Sequence, residues 1–205
     1  MDSKEQLEEK FNTYSHGMGI VLAFVGGYFL LKDVNKDLQF SLFIYCLSLL
    51  MLFTASTTYH AISNPKLKDK LRIVDHISIY YLIAGTYTPV CLSILSDSKG
   101  VLLLYIVWGI AIFGTVLKLF FTGKFEIFSL ILYGIMGWLV IIDLAYLIEE
   151  TSHKELLLLS LGGVFYTVGI LFYAVKKISF NHFIWHLFVL AGAISHWVFI
   201  YTIAH

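Results

Sequence analysis

Residues 181–190 read NHFIWHLFVL, and the run continues as AGAISHWVFIYTIA to residue 204. Apart from its polar start and the Ser195–His196 pair, this stretch is apolar for long enough to cross a bilayer, which takes about 20 such residues in a helix. Its entrance carries two imidazoles, His182 and His186. Four residues apart, they share one helix face about 6 Å apart along the axis. A helix that enters lipid with two polar rings on one side raises two questions: what the rest of the chain is, and what those rings face.

Composition answers the first. The chain has 205 residues, 59% hydrophobic, 17% aromatic and 14% charged, with a mean hydropathy of +0.81. A soluble domain carries roughly 25% charged residues, so most of this surface is expected to face lipid. The expected setting is the cell membrane, with the bilayer itself as the main partner. Net charge is zero, which gives nucleic acid no electrostatic handle, and no protein partner is legible. Cys46 and Cys91 both fall inside apolar runs, where they read as small buried hydrophobes rather than a disulfide or thiolate site. The N-terminus, MDSKEQLEEKF, lacks the basic-then-apolar order of a cleavable signal, so the first apolar segment is expected to stay in the mature protein.

Reading for long apolar runs gives seven candidate spans, near residues 16–31, 40–61, 73–95, 101–121, 127–148, 156–175 and 183–204. The first is short and can extend back into the polar segment 1–15. Short polar connectors separate them: KDVNKDLQ, SNPKLKDKLR, SDSKG, TGKFE, EETSHK and KKISFNH. None could hold a second domain, and the runs lack the period-two alternation of a membrane barrel. The expectation is one all-α domain over residues 1–205, a bundle of seven membrane-spanning helices.

Orientation follows from lysine and arginine, which favour the cytoplasmic side. With the N-terminus inside, that side collects Lys4, Lys10, Lys66, Lys68, Lys70, Arg72, Lys118, Lys124, Lys176 and Lys177. The outside collects Lys32, Lys36, Lys99 and Lys154. The bias predicts a cytoplasmic N-terminus and an external C-terminus. Pro89, inside the third span, predicts a kink there, with the Thr86 and Thr88 hydroxyls available for the freed carbonyl.

Ionisable groups at membrane depth are costly, so each is a functional candidate. Span direction alone brings them to one level: Ser56 and His60 at the end of the second span, Asp75 and His76 at the start of the third, His182 and His186 at the start of the seventh. The first span adds Asn12, Ser15 and His16. Catalytic zinc takes three protein ligands and keeps one position for water. His60, His182 and His186 would supply three nitrogens, with Asp75 beside the metal-bound water as ligand, base or orienter and the Ser56 hydroxyl near it. Each residue has a plainer reading. The histidine pair can be a solvated interfacial pair, Asp75 can cap its helix or pair with Arg72, and His60 can bond a loop carbonyl. Their convergence at one depth favours the metal. His76 points about 100° away from Asp75 and stays outside this set. Asp143 can snorkel or pair locally, His196 lies about 21 Å deeper than His182 and can line a cavity, and His153 and His205 are expected to be solvated.

Four stretches together resemble the hemolysin III family, the bacterial branch of the progestin and adipoQ receptor proteins, which include the adiponectin receptors. They are EKFNTYSH from Glu9, STTYH from Ser56, DHISIYYLIAGTYTP from Asp75 and HFIWHLFVLAGAISH from His182, in that order over nearly the whole chain. The resemblance implies seven helices with zinc near the cytoplasmic face, held by His60, His182 and His186, with Asp75 and Ser56 beside the bound water. It also suggests kinship with alkaline ceramidases, and the similar site of adiponectin receptors is associated with ceramide hydrolysis. The long N-terminal domain of the animal receptors is not expected here, which weakens a hormone-receptor role. Three functions compete. One is a zinc-dependent hydrolase of a membrane lipid amide. The second is a non-enzymatic lipid-sensing or homeostasis protein with structural zinc. The third is a pore, which the apolar outer halves of the spans disfavour.

Overall fold

A computed structural model of the chain describes residues 3–121 and 124–205. Met1 and Asp2 of the polar N-terminal segment, and Thr122 and Gly123 of the TGKFE connector, lie outside the described residues. Among those described there is no strand. The helices are α1 (Ser3–Leu31), α2 (Lys36–Ala61), α3 (Pro65–Leu92), α4 (Gly100–Phe121), α5 (Glu126–Trp138), α6 (Leu144–Glu150), α7 (His153–Ala174) and α8 (Asn181–Ala204). A short 3-10 segment, Leu139–Asp143, joins α5 to α6.

Six segments are long and apolar enough to cross a membrane: α1, α2, α4, the α5–α6 unit Glu126–Glu150, α7 and α8. Their outer faces carry large apolar side chains, among them Ile127, Tyr105, Phe120 and Phe24, each more than 70% exposed. In water such a surface would aggregate; in lipid it needs no cover. The chain is a multi-pass integral membrane protein. The third expected span behaves differently. It forms a 28-residue helix, α3, but Ser, Thr and Tyr so interleave its apolar residues that it falls short of the other six in hydropathy. Those polar residues face inward: Ser78, Tyr80, Thr86, Tyr87 and Thr88 are all buried.

α3 packs between α2 and α4, while α1 is flanked by α2 and α8, and α7 lies along α8. Small residues permit the close approaches, as expected where helices pack without a hydrophobic drive. Gly19 of α1 lies under the Phe53 ring, and Gly162 of α7 under His196; an added Cβ would overlap either ring. By contrast, α5 touches α3, α4 and α7 only lightly.

The helix ends show why the chain turns where it does. Asn64 accepts from the Leu67 N–H at 3.2 Å with Pro65 in the first turn, and Ser152 and Glu155 form a capping box for α7. α8 has no cap of its own, because Phe180 precedes it in the left-handed region with φ 56°. Glu8 of α1 supplies one instead, accepting from the His182 N–H at 3.1 Å and the Phe183 N–H at 3.4 Å. Its charge also complements the positive end of the helix dipole.

Two expectations shift. Thr86 donates to the Leu82 carbonyl at 2.7 Å and Thr88 to the Ala84 carbonyl at 2.8 Å, so neither hydroxyl takes the Gly85 carbonyl that Pro89 frees. The fifth span is not one regular helix either. Tyr87 reaches across from α3, accepting from the Val140 N–H at 2.8 Å and donating to the Gly137 carbonyl at 3.2 Å. These bonds hold backbone groups that the 3-10 turn leaves unpaired.

Candidate metal centre

The last turns of α2 and the first turns of α8 meet at one end of the bundle. His60, His182 and His186 each offer a nitrogen, and these nitrogens lie within 4.8 Å of one another. The ring centroids are 5.1 Å apart for His60 and His182, 4.8 Å for His60 and His186, and 4.9 Å for His182 and His186. His60 and His186 are buried.

α1 orients the first ligand. Glu9 Oε2 lies 2.9 Å from His60 Nδ1 and is itself bonded by Lys68 Nζ at 2.7 Å. A carboxylate oxygen paired with lysine can only accept, so Nδ1 carries the proton and Nε2 keeps its lone pair. That Nε2 is buried without a hydrogen-bond partner among the described residues, and so is Nδ1 of His186. Buried imidazole nitrogens normally find a partner. Here the bare nitrogens belong to rings that surround a common point, with a carboxylate behind one of them, as in histidine-bound metal sites. Three neutral nitrogen donors suit a divalent first-row ion such as zinc. The residues present fit such an ion.

Asp75 and Ser56 complete the wall. Both are buried and both line the cavity, as do His182 and His186. None of the plainer readings of Asp75 and His60 holds: Asp75 lies ten residues inside α3, whose cap is Asn64, it makes no ion pair with Arg72 among the described residues, and His60 bonds Glu9 rather than a loop carbonyl. The cavity has a volume of about 520 Å³ and is lined mainly by α2, α3, α5, α7 and α8. It runs from the histidines past Leu82, Ile83 and Val189 to His196. Trp138 of α5 closes one side by donating to Thr167 of α7 at 3.1 Å.

The remaining candidates fall elsewhere. His76 stays out of the cluster, its Nε2 3.4 Å from the Tyr173 hydroxyl. His196 Nε2 bonds the Leu159 carbonyl at 3.1 Å. Ser15 bonds its own helix at the Asn12 carbonyl, 3.0 Å away. Asp143 accepts from Ser98 Oγ at 2.9 Å and the Lys99 N–H at 2.8 Å, at the opposite end of the bundle. His205 is exposed, and its ring reaches the Lys32 carbonyl at 3.1 Å.

Sequence reasoning underrated α1. No spacing rule assigns Glu9 a role, yet it holds His60; for Asn12 and His16 span direction gives only the depth. His16 is buried and stacks on His186 with centroids 3.7 Å apart and planes at 19°. The Asn12 amide lies 3.5 Å from His60 Nδ1. A signal was present, because positions 9, 12 and 16 fall on one helical face.

The family described as Haemolysin-III related matches residues 4–197. The chain belongs to that family. Among its haemolysin-III relatives, the hemolysin-3 homolog of Bacillus subtilis (strain 168) is 44% identical over 191 residues, covering 91% of this chain and 89% of that protein. Hemolysin-3 of Bacillus cereus is 40% identical over 190 residues, covering 91% and 87%. The human monocyte to macrophage differentiation factor is 29% identical over 208 residues, covering 95% and 85%. No solved structure matches the chain.

Proposed function

We propose that this haemolysin-III family protein is a zinc-dependent hydrolase of lipid amides, with its site just inside the cytoplasmic leaflet. α3 serves as the seventh crossing, being about 42 Å long at 1.5 Å per residue. The lysine and arginine bias sets the N-terminus inside and the C-terminus outside. The observation that carries the reading is the pair of buried nitrogens on His60 and His186 without a partner among the described residues, in a three-histidine cluster whose ligand atoms lie within 4.8 Å of one another beside a cavity lined by His182, His186, Asp75 and Ser56. Among the described residues no fourth histidine, cysteine, aspartate or glutamate joins the three. That favours an open, catalytic site over a closed, structural one.

A zinc ion at the three imidazoles supplies Lewis acidity, lowering the pKa of water from 15.7 toward about 7. The chain's own residues do the rest. Asp75 accepts a proton from the attacking water and aims its lone pair at the amide carbon. The Ser56 hydroxyl donates to the carbonyl oxygen as negative charge builds there. Asp75 then passes its proton to the leaving nitrogen, so amide and water become carboxylic acid and amine and the carboxylate is restored. Glu9 keeps the His60 ring turned and its Nδ1 protonated throughout. The apolar length of the cavity holds the acyl chain.

The test is release of fatty acid from lipid amides by the purified protein, beside Asp75→Ala. Release should fall at least 100-fold in the variant, within the range removed with a general base. Equal release from both proteins would reject the assignment.

A further inference from the structure

We propose that the cytoplasmic rim of the cavity is an anion site, and that the lipid it takes carries a negatively charged headgroup close to its amide bond. The proposal rests on the hydrolase reading and specifies its substrate class. Arg72 lies three residues before Asp75 on α3, on the same face and about 4.5 Å nearer the cytoplasm. Its side chain lines the cavity, its Nε is buried without a partner, and it makes no ion pair among the described residues. One turn on, His76 also lines the cavity, with Nδ1 buried and unpartnered among the described residues. Lys176 faces the same rim from the end of α7. One rim carboxylate, Glu126, is bound by Lys118 at 2.8 Å, so it does not neutralise Arg72.

A topology-setting arginine needs only to reach water. Arg72 instead lines the cavity with its Nε buried and unpartnered among the described residues, one turn from the reacting group. A guanidinium there matches a carboxylate or phosphate by paired, charge-assisted hydrogen bonds. Because the space below is apolar, the anion belongs to an acylated molecule rather than a free ion. An N-acylated amino acid has this shape, with its carboxylate two bonds beyond the amide nitrogen.

Binding decides the matter without turnover. The full chain carrying Asp75→Asn is purified in detergent, and its affinity is measured for an N-acylglycine and for the N-acylethanolamine of the same chain length. The charged probe should bind about tenfold tighter, the value of one good charge-assisted contact. Arg72→Gln should erase that preference while leaving the neutral probe's affinity unchanged, which also reports a folded cavity. Lys176→Gln should reduce the preference about threefold, being an exposed contact. Lys177→Gln, exposed and outside the cavity, should leave it alone. The proposal fails if the two probes bind equally, or if the preference survives Arg72→Gln. It also fails if Lys177→Gln erases the preference as fully, which would mean general surface charge. Displacement of the charged probe by millimolar inorganic phosphate would equally overturn a lipid headgroup site. Loss of fatty-acid release with the preference intact would strike the hydrolase reading and not this one.

Discussion

Two buried polar clusters stand at opposite ends of the bundle and are built on opposite principles. At one end Asp143 is buried, and its two oxygens are taken up by Ser98 Oγ and the Lys99 N–H. At the other, the histidine cluster keeps nitrogens of His60, His186 and His16 buried with no hydrogen-bond partner among the described residues. A satisfied group in a low-dielectric interior stabilises the fold. An unsatisfied one costs free energy unless something outside the chain completes it. The first pattern belongs to architecture; the second fits a cluster that could hold a metal ion.

The sharpest way to break this contrast is to remove the ring nitrogens. Elemental analysis of purified parent protein should find about one equivalent of divalent metal, and His60→Ala, His182→Ala or His186→Ala should each retain almost none. Two ligands do not hold an ion that three hold in a catalytic site. Full metal content in all three variants would leave the bare nitrogens unexplained.

Glu9→Gln is the next step down. The amide can still accept from His60 Nδ1, so the ring keeps its tautomer but loses the charge behind it. Outer carboxylates of this kind contribute about 10–100-fold in metal affinity, and competition against a chromophoric chelator should show a loss in that range. An unchanged affinity would make the Glu9, His60 and Lys68 chain a helix clamp only.

At the other pole, Asp143→Ala should destabilise without touching the metal. The buried carboxylate would no longer accept from the Ser98 hydroxyl and the Lys99 N–H; a hydrogen bond to a charged group contributes about 1.5–3 kcal/mol, less here because both donors are exposed. Thermal unfolding in detergent should therefore fall while metal content stays at the parent value.

How much of this was legible follows from what a sequence pattern encodes. Long apolar runs announce membrane helices because lipid tolerates no other exposed backbone, and six of the seven expected spans have that apolar signature. α3 blurred it, since a helix ringed by α2 and α4 turns hydroxyls inward and is not obliged to look apolar. The meeting of His60 with His182 and His186 could be read from span direction alone, because depth in a bilayer is a coordinate that connectivity supplies. What could not be read was contact across helices. Glu9 and Glu8 looked like ordinary charges of a polar tail, yet one orients His60 and the other caps α8. The 3-10 break was hidden for the same reason, as the hydroxyl that bonds its freed backbone belongs to Tyr87, some fifty residues earlier.

Tyr87→Phe gives the smallest expected effect and tests whether the two ends are separable. The hydroxyl bridges the Val140 N–H and the Gly137 carbonyl, so its loss should cost about 1 kcal/mol per hydrogen bond in unfolding. The same ring lines the cavity, and phenylalanine preserves its apolar body. If helix packing insulates the metal end, affinity for the ion should match the parent while the stability loss resembles a mild form of Asp143→Ala. A fall in metal affinity comparable to Glu9→Gln would mean that the 3-10 break and the histidines move together. The saturated cluster would then help set the geometry of the unsaturated one, and α5 would become the element through which the two communicate.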